Sequence, residues 1–86
     1  MASSAAALEA KLRAAFEPTV LTVEDESGGC GAKFTVTVVS TKFDGVPLLQ
    51  RHRLVNEAVA QELKAIHAFS IKAMTPAQFA AKQAAQ

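Results

Sequence analysis

The sequence contains a single cysteine, Cys30, among its 86 residues. One cysteine cannot form an internal disulfide bond, whereas secreted domains of this size usually depend on several. There is also no Cys-x-x-Cys pair, and structural zinc sites normally use four closely spaced ligands. These absences favour a reducing compartment, and they leave this chain able to provide at most half of a metal site that another molecule completes.

Long apolar runs and a strong charge of one sign are also missing. No run approaches the roughly 18 apolar residues that span a bilayer, so we expect no membrane segment. The net charge of +1 disfavours binding to nucleic acid through phosphate contacts alone.

The length predicts one domain over 1–86, with an ordered core over about 4–82 and frayed ends. We interpret the Ser/Ala-rich start, 1–7, as a frayed helix start and not a transit peptide, since Glu9 follows and no Arg-rich stretch does.

Signatures of catalysis are absent as well. The sequence has no nucleophile elbow and no phosphate-binding P-loop. A cysteine nucleophile needs a base within hydrogen-bond reach, and Cys30 has no such partner nearby in sequence. We therefore predict a protein that is not an enzyme.

The first half of the chain predicts a helix followed by two strands. Apolar residues repeat every four positions in 4–16 (Leu8, Leu12 and Phe16), and Pro18 ends that helix. The stretch 19–24 is rich in β-branched residues, and 33–40 alternates between apolar and polar side chains, so both predict strands. The polar, glycine-rich stretch 25–31 between them is predicted to be the loop of an antiparallel hairpin.

The second half predicts a helix, a strand and a last helix. Pro47 suits a first helical position, and the apolar spacing after it extends a helix to about residue 64. A short strand is predicted over 67–72. Thr75-Pro76-Ala77-Gln78 is typical of a capping box that starts a helix. The order is α-β-β-α-β-α, which predicts an α+β domain with a three-stranded mixed sheet, its third strand parallel to the second and its apolar face covered by helices.

Two stretches are candidates for nucleic-acid binding. Gly28-Gly29-Cys30-Gly31 matches the Gly-x-x-Gly loop of KH domains, although that loop joins two helices and this one joins two strands. Arg51-His52-Arg53 is a short basic cluster on the second helix. It suits a phosphate or an acidic partner, but it is also typical of a solvated helical face, with Arg51 beside the core.

His67 and Cys30 have two interpretations each. Strand alternation places His67 on the same face as Phe69 and Ile71, so it is either a histidine at the edge of the core or a ligand. Cys30 is either a free thiol in a loop or a ligand. A lone cysteine and a lone histidine do not decide between these alternatives.

The sequence resembles the BolA-like protein family. The resemblance rests on Phe43-Asp44-Gly45, on 48–56 with its Arg-His-Arg segment, on 66–72 with its Ile-His-Ala segment, and on Thr75-Pro76-Ala77-Gln78. It implies a KH-like fold in the order α-β-β-α-β-α. Cysteine in the hairpin loop resembles the cytosolic and nuclear branch of the family, which implies a cytoplasmic location with the nucleus as a further compartment.

The resemblance also implies a partner and a cofactor. The partner is a monothiol glutaredoxin of the Cys-Gly-Phe-Ser type, which holds a 2Fe–2S cluster with its own cysteine and a glutathione thiolate. His67 matches the family's C-terminal histidine ligand and Cys30 matches its loop ligand, while Arg51, His52 and Arg53 would form part of the docking surface. The isolated chain, expected to be a monomer, would carry no cluster. The alternative function is a KH-like nucleic-acid-binding regulator, since some bacterial relatives act on transcription.

Overall fold

A computed structural model describes residues 4–26 and 33–84 of the chain. Its elements are helix α1 (Ser4–Phe16), strands β1 (Val20–Asp25) and β2 (Lys33–Val39), a 3-10 turn (Thr41–Phe43), helices α2 (Leu48–Ala58) and α3 (Ala60–Leu63), strand β3 (Ala68–Met74) and helix α4 (Pro76–Ala84). Among the described residues, no helix is long and apolar enough to cross a bilayer.

The three strands form one mixed sheet in the order β1-β2-β3. Strand β1 pairs antiparallel with β2, and β3 pairs parallel with β2, starting at Lys33 opposite Ala68 and ending at Val39 opposite Met74. The predicted α+β architecture and strand directions are therefore confirmed.

The core lies between one face of the sheet and helices α1 and α2. Alternation in β2 turns Phe34, Val36 and Val38 toward this core, where each is at most 1% exposed. They pack with the buried apolar residues of the helices and the 3-10 turn, which are Leu8, Leu12, Phe16, Phe43, Val55 and Val59. The rings of Phe16 and Phe43 lie 5.1 Å apart, so the end of α1 and the 3-10 turn are joined by an aromatic contact.

The junction between β2 and α1 is closed by a buried serine. The Ser40 hydroxyl donates to the Phe16 carbonyl oxygen over 2.6 Å and accepts from the Lys42 backbone N–H over 3.1 Å. The chain leaves α1 through Glu17, whose φ of +46° is left-handed and whose N–H bonds the Arg13 carbonyl at 3.0 Å. Pro18 then prevents further helix, as the sequence predicts.

Strand β1 is shifted by one residue from the predicted 19–24, and β2 ends one residue before the predicted 40. Three further predicted boundaries are wrong by small amounts. Pro47 lies at the cap position before α2 and not at its first helical position. The second helix does not run unbroken to residue 64, because Val59 leaves helical geometry with φ −116° and ψ 23°, and the one-turn helix α3 follows it. The third strand begins one residue later than predicted and continues to Met74, since its pairing with β2 extends to Val39.

Candidate functional site

His67 lies immediately before β3, at one edge of the sheet. Its side chain is exposed. Phe69 and Ile71, which follow it at alternate positions on the same face, are partly buried and pack against the core. The interpretation of His67 as a core-edge histidine is therefore not supported, because the chain at this position has not yet entered the strand and its imidazole is accessible to a partner.

The hairpin loop that carries Cys30 leaves the sheet at this same edge. Cys30 itself lies outside the described residues, but both ends of the loop are described. The Glu26 backbone N–H donates to the Lys33 carbonyl oxygen over 2.9 Å, which closes the hairpin. Lys33 in turn is the parallel partner of Ala68, the residue after His67.

Covalent reach limits the distance of Cys30 from this edge. Cys30 and Lys33 are three positions apart in the sequence, and an extended chain spans at most about 3.6 Å per residue, so their Cα atoms are no more than roughly 11 Å apart. Parallel pairing therefore places Lys33, three positions after the only cysteine of the sequence, opposite the residue that follows His67.

Arg51 has an internal role. Its side chain is 8% exposed. Its Nε donates to the Val46 carbonyl over 2.6 Å, and its Nη1 donates to the Ala73 carbonyl over 3.2 Å and to Gln78 Oε1 over 2.7 Å. The guanidinium also lies 5.9 Å from the centre of the Phe43 ring. The expectation that Arg51 lies beside the core is met, but its guanidinium is committed to internal bonds and does not contribute to a docking surface.

The rest of the basic segment is separated from His67. Ala73, which Arg51 contacts, lies six residues beyond His67 along an extended chain, which is about 20 Å. His52 is half-buried and Arg53 is exposed, so these two are the members of the cluster that a partner can reach. The structure thus places Lys33, where the described chain resumes after the segment of Cys30, beside the residue that follows His67, and it does not bring the basic segment to this point.

Sequence patterns did not indicate the most exposed large apolar residues. Leu48 and Leu49, in the first turn of α2, are 58% and 66% exposed. The inward direction of Arg51 could have indicated Leu49, because helical spacing turns Leu49 and Arg53, each two positions away, outward. It gives no signal for Leu48, which is three positions before Arg51.

Within the described residues, no group of three or more His, Cys, Asp or Glu side chains is placed to hold a metal ion. An iron–sulfur cluster is usually held by four protein-derived ligands, which are thiolates or, in some centres, a mixture of thiolate and imidazole. The exposed imidazole of His67 and the thiol of the neighbouring loop have the chemistry of half such a set.

Comparison with known proteins identifies the family. The family described as BolA-like protein matches residues 12–78. The chain belongs to the BolA-like family. BolA-like protein 2 of Mus musculus is 52% identical over 80 residues, covering 92% of this chain and 93% of the mouse protein. Protein BOLA2 of Arabidopsis thaliana is 53% identical over 73 residues, covering 84% of this chain and 78% of the plant protein.

Solved structures agree with this assignment. The crystal structure of a Bol-like protein from Babesia bovis is 47% identical, with a TM-score of 0.85, and covers 96% of this chain and 95% of that chain. The BolA-like assignment made from 43–45, 48–56, 66–72 and 75–78 is thereby confirmed.

Proposed function

We propose that this BolA-like chain is a binding partner and not an enzyme, and that it shares a 2Fe–2S cluster with a monothiol glutaredoxin. The observation that carries the proposal is the pairing of Lys33 with Ala68, which attaches the Cys30 loop and the exposed His67 to the same edge of the sheet. An adaptor that completes a site on another protein needs accessible ligands, and His67 is exposed.

His67 and Cys30 would supply two ligands, and the glutaredoxin cysteine and a glutathione thiolate would supply the others. Imidazole in place of thiolate raises the reduction potential of such clusters. His67 immediately precedes a paired strand, whereas Cys30 has glycine on both sides in the sequence, and glycine permits more backbone conformations than any other residue. We therefore assign His67 the fixed ligand position and Cys30 the adaptable one.

The α2 surface is proposed as a secondary part of the docking interface. Exposed Leu48 and Leu49 lie in the same helix as Arg53 and His52, and exposed apolar residues next to a cation are typical of recognition surfaces. A standard interface covers about 800 Å² of each partner, a patch roughly 30 Å across. One partner is therefore large enough to contact both His67 and this helix, although about 20 Å separate them along the sheet.

Direct nucleic-acid binding is the less well supported alternative. Because Arg51 is buried and internally bonded, the basic segment offers one exposed arginine and a half-buried histidine to a phosphate backbone. Phosphate-driven affinity grows with the number of cations that contact the backbone.

The proposal is tested by anaerobic reconstitution. The chain is mixed with a monothiol glutaredoxin, iron, sulfide and glutathione, and visible absorption and circular dichroism are recorded. We expect spectra unlike those of the glutaredoxin alone. His67→Ala should abolish or strongly destabilise the mixed cluster, His67→Cys should retain a cluster with an altered spectrum, and Cys30→Ala should have a smaller effect.

Ser70→Ala is the matched control, because Ser70 is an exposed β3 residue that is not assigned to the cluster. Far-ultraviolet circular dichroism should show that all variants keep the fold. An unchanged glutaredoxin spectrum, or a mixed cluster that survives His67→Ala, would contradict the proposal.

A further inference from the structure

A groove lies on the face of the sheet opposite the core. Residues of β2 and β3 that alternate with the core residues form its floor, and α4 forms its wall. Its volume is about 140 Å³, and its lining consists of Thr37, Lys72, Met74, Phe79, Lys82 and Gln83. None of these residues belongs to the surface proposed above for glutaredoxin.

Both lysines of the groove are available to a ligand. Lys72 and Lys82 are exposed, and no carboxylate of the described residues forms an ion pair with either. The half-buried apolar side chains of Met74 and Phe79 line the same groove. Two lysines without an ion pair to a described carboxylate, in a groove that also has two apolar side chains, suit a ligand that carries negative charge next to an apolar group.

The size of the groove restricts the ligand. Sites for whole cofactors and drug-sized molecules have volumes of about 300–1,000 Å³, whereas a cavity of about 150 Å³ holds one benzene-sized group. At about 140 Å³, this groove accommodates a single large apolar side chain. A segment of a partner protein therefore fits better than a free cofactor.

The charges on the rest of this face disfavour a polyanion. Alternation places Lys33, Glu24 and Thr35 on the same face as Lys72, and the Thr35 hydroxyl donates to the Glu26 carboxylate. A nucleic-acid strand that continued past the groove toward the hairpin would meet the carboxylates of Glu24 and Glu26. A short acidic peptide would place its charges only at the groove.

We propose that this groove binds a short acidic segment of a partner protein, with one apolar side chain against Met74 and Phe79 and carboxylates on Lys72 and Lys82. Met74 lies seven residues beyond His67, about 23 Å along an extended strand. The bound segment is therefore remote from the cluster ligands. It also lies on the face of the sheet opposite α2, so it can be held while a glutaredoxin contacts His67 and α2.

The probe is an N-acetylated hexapeptide with one phenylalanine between two pairs of aspartates and a terminal glycine. The control peptide carries asparagines in place of the aspartates. Nitrogen-15 chemical shifts of the full chain are recorded during titration. We expect saturable shifts at the Lys72, Lys82 and Gln83 amides with the acidic peptide, at least about tenfold weaker binding of the asparagine peptide, and weakening by 0.5 M salt.

A second test reverses the charges of the two groove lysines. The double variant Lys72→Glu/Lys82→Glu should bind the acidic peptide at least about tenfold more weakly, because each attraction becomes a repulsion. Lys64→Glu is the control, since Lys64 is an exposed lysine that does not line the groove. Both variants should keep their far-ultraviolet circular dichroism and their cluster spectrum with glutaredoxin.

Three outcomes would overturn the proposal. They are no groove shifts at millimolar peptide, equal binding of the acidic and asparagine peptides, and tighter groove binding by an octamer of uridylate than by the peptide. Because glutaredoxin reconstitution does not use this groove, a failure here is distinguishable from a failure of the cluster proposal.

Discussion

Arg51 shows at the scale of one residue how a basic side chain can serve the fold. Its guanidinium is buried and bonds two backbone carbonyls and a glutamine oxygen. These oxygens are neutral, and no carboxylate of the described residues is paired with it. Arg51 therefore ties together the turn before α2, the end of β3 and the start of α4, and it stabilises the fold through directed hydrogen bonds.

Replacing Arg51 should destabilise the fold. Arg51→Met keeps most of the volume but leaves the Val46 and Ala73 carbonyls and Gln78 without this donor, and unsatisfied buried groups cost about 1–3 kcal/mol. We expect the free energy of unfolding, measured in urea, to fall by about 2–3 kcal/mol. Arg53→Met, at an exposed position, should change it by about 0.5 kcal/mol or less. Equal losses in the free energy of unfolding for the two variants would show that the hydrogen bonds of Arg51 make no net contribution to stability.

Helix α4 is the element whose start is most clearly determined by local chemistry. The Gln78 backbone N–H donates to Thr75 Oγ1 over 3.1 Å, and the Thr75 backbone N–H donates to Gln78 Oε1 over 3.0 Å. This is the reciprocal capping box that the sequence predicts, with Pro76 at the first helical position. The same Gln78 oxygen accepts from Arg51, so the cap also anchors α4 to the rest of the fold.

Because Gln78 Oε1 accepts from both Thr75 and Arg51, replacing Gln78 should cost more stability than replacing Thr75. Thr75→Ala should lower the free energy of unfolding by about 1 kcal/mol, which is typical of a lost cap. Gln78→Ala should cost more, because it removes a cap bond and also the acceptor of Arg51. Gln50→Ala, an exposed helical position, should be nearly neutral.

A double-mutant cycle in urea separates these contributions. The Thr75→Ala/Gln78→Ala variant should lose less stability than the sum of the single variants, because the two bonds form one reciprocal unit. Strict additivity, or a larger loss for Thr75→Ala than for Gln78→Ala, would contradict this account of the cap.

For the whole molecule, β2 is the centre of stability. It pairs with β1 on one side and β3 on the other, and its Phe34, Val36 and Val38 are buried in the core. Strands β1 and β3 each lack a partner on one side within the described sheet. His67 and the groove lie toward opposite ends of this sheet, so the stable centre separates them.

Amide hydrogen exchange should reflect this arrangement. We expect the amides of 34–38 to exchange slowest, with opening free energies close to that of global unfolding. In β1, alternate amides that point away from β2 should exchange much faster. Native-state exchange followed by nuclear magnetic resonance measures these rates, and protection of all β1 amides equal to that of β2 would contradict the prediction.

Most of the elements were predictable because their signals are local. The bounds of α1 were predicted from the spacing of Leu8, Leu12 and Phe16 and from Pro18, and the start of α4 from Thr75 and Gln78. The break at Val59 was not predictable, because helical spacing continues through it and only its backbone dihedral angles reveal the break. Element boundaries depend on tertiary contacts that periodicity does not contain.

The candidate site was predictable only in part. The family resemblance named His67 and Cys30 as ligands, and that assignment stays a prediction. Alternation suggested that His67 could lie at the core edge, but the structure leaves it exposed, because it precedes the first paired residue of β3. The groove beside Phe79 had no signal in the sequence, because it exists only where α4 lies against the outer face of the sheet.

The sequence by itself determined the elements, their order and the family, since spacing, prolines and a capping box act over a few residues. Only the tertiary structure decided which of these features meet. The parallel pairing of Lys33 with Ala68 joins segments separated by two helices, and it attaches the loop of the single cysteine and His67 to one sheet edge. Such a register depends on how α2 packs across the sheet, which is a long-range condition that local sequence patterns do not express.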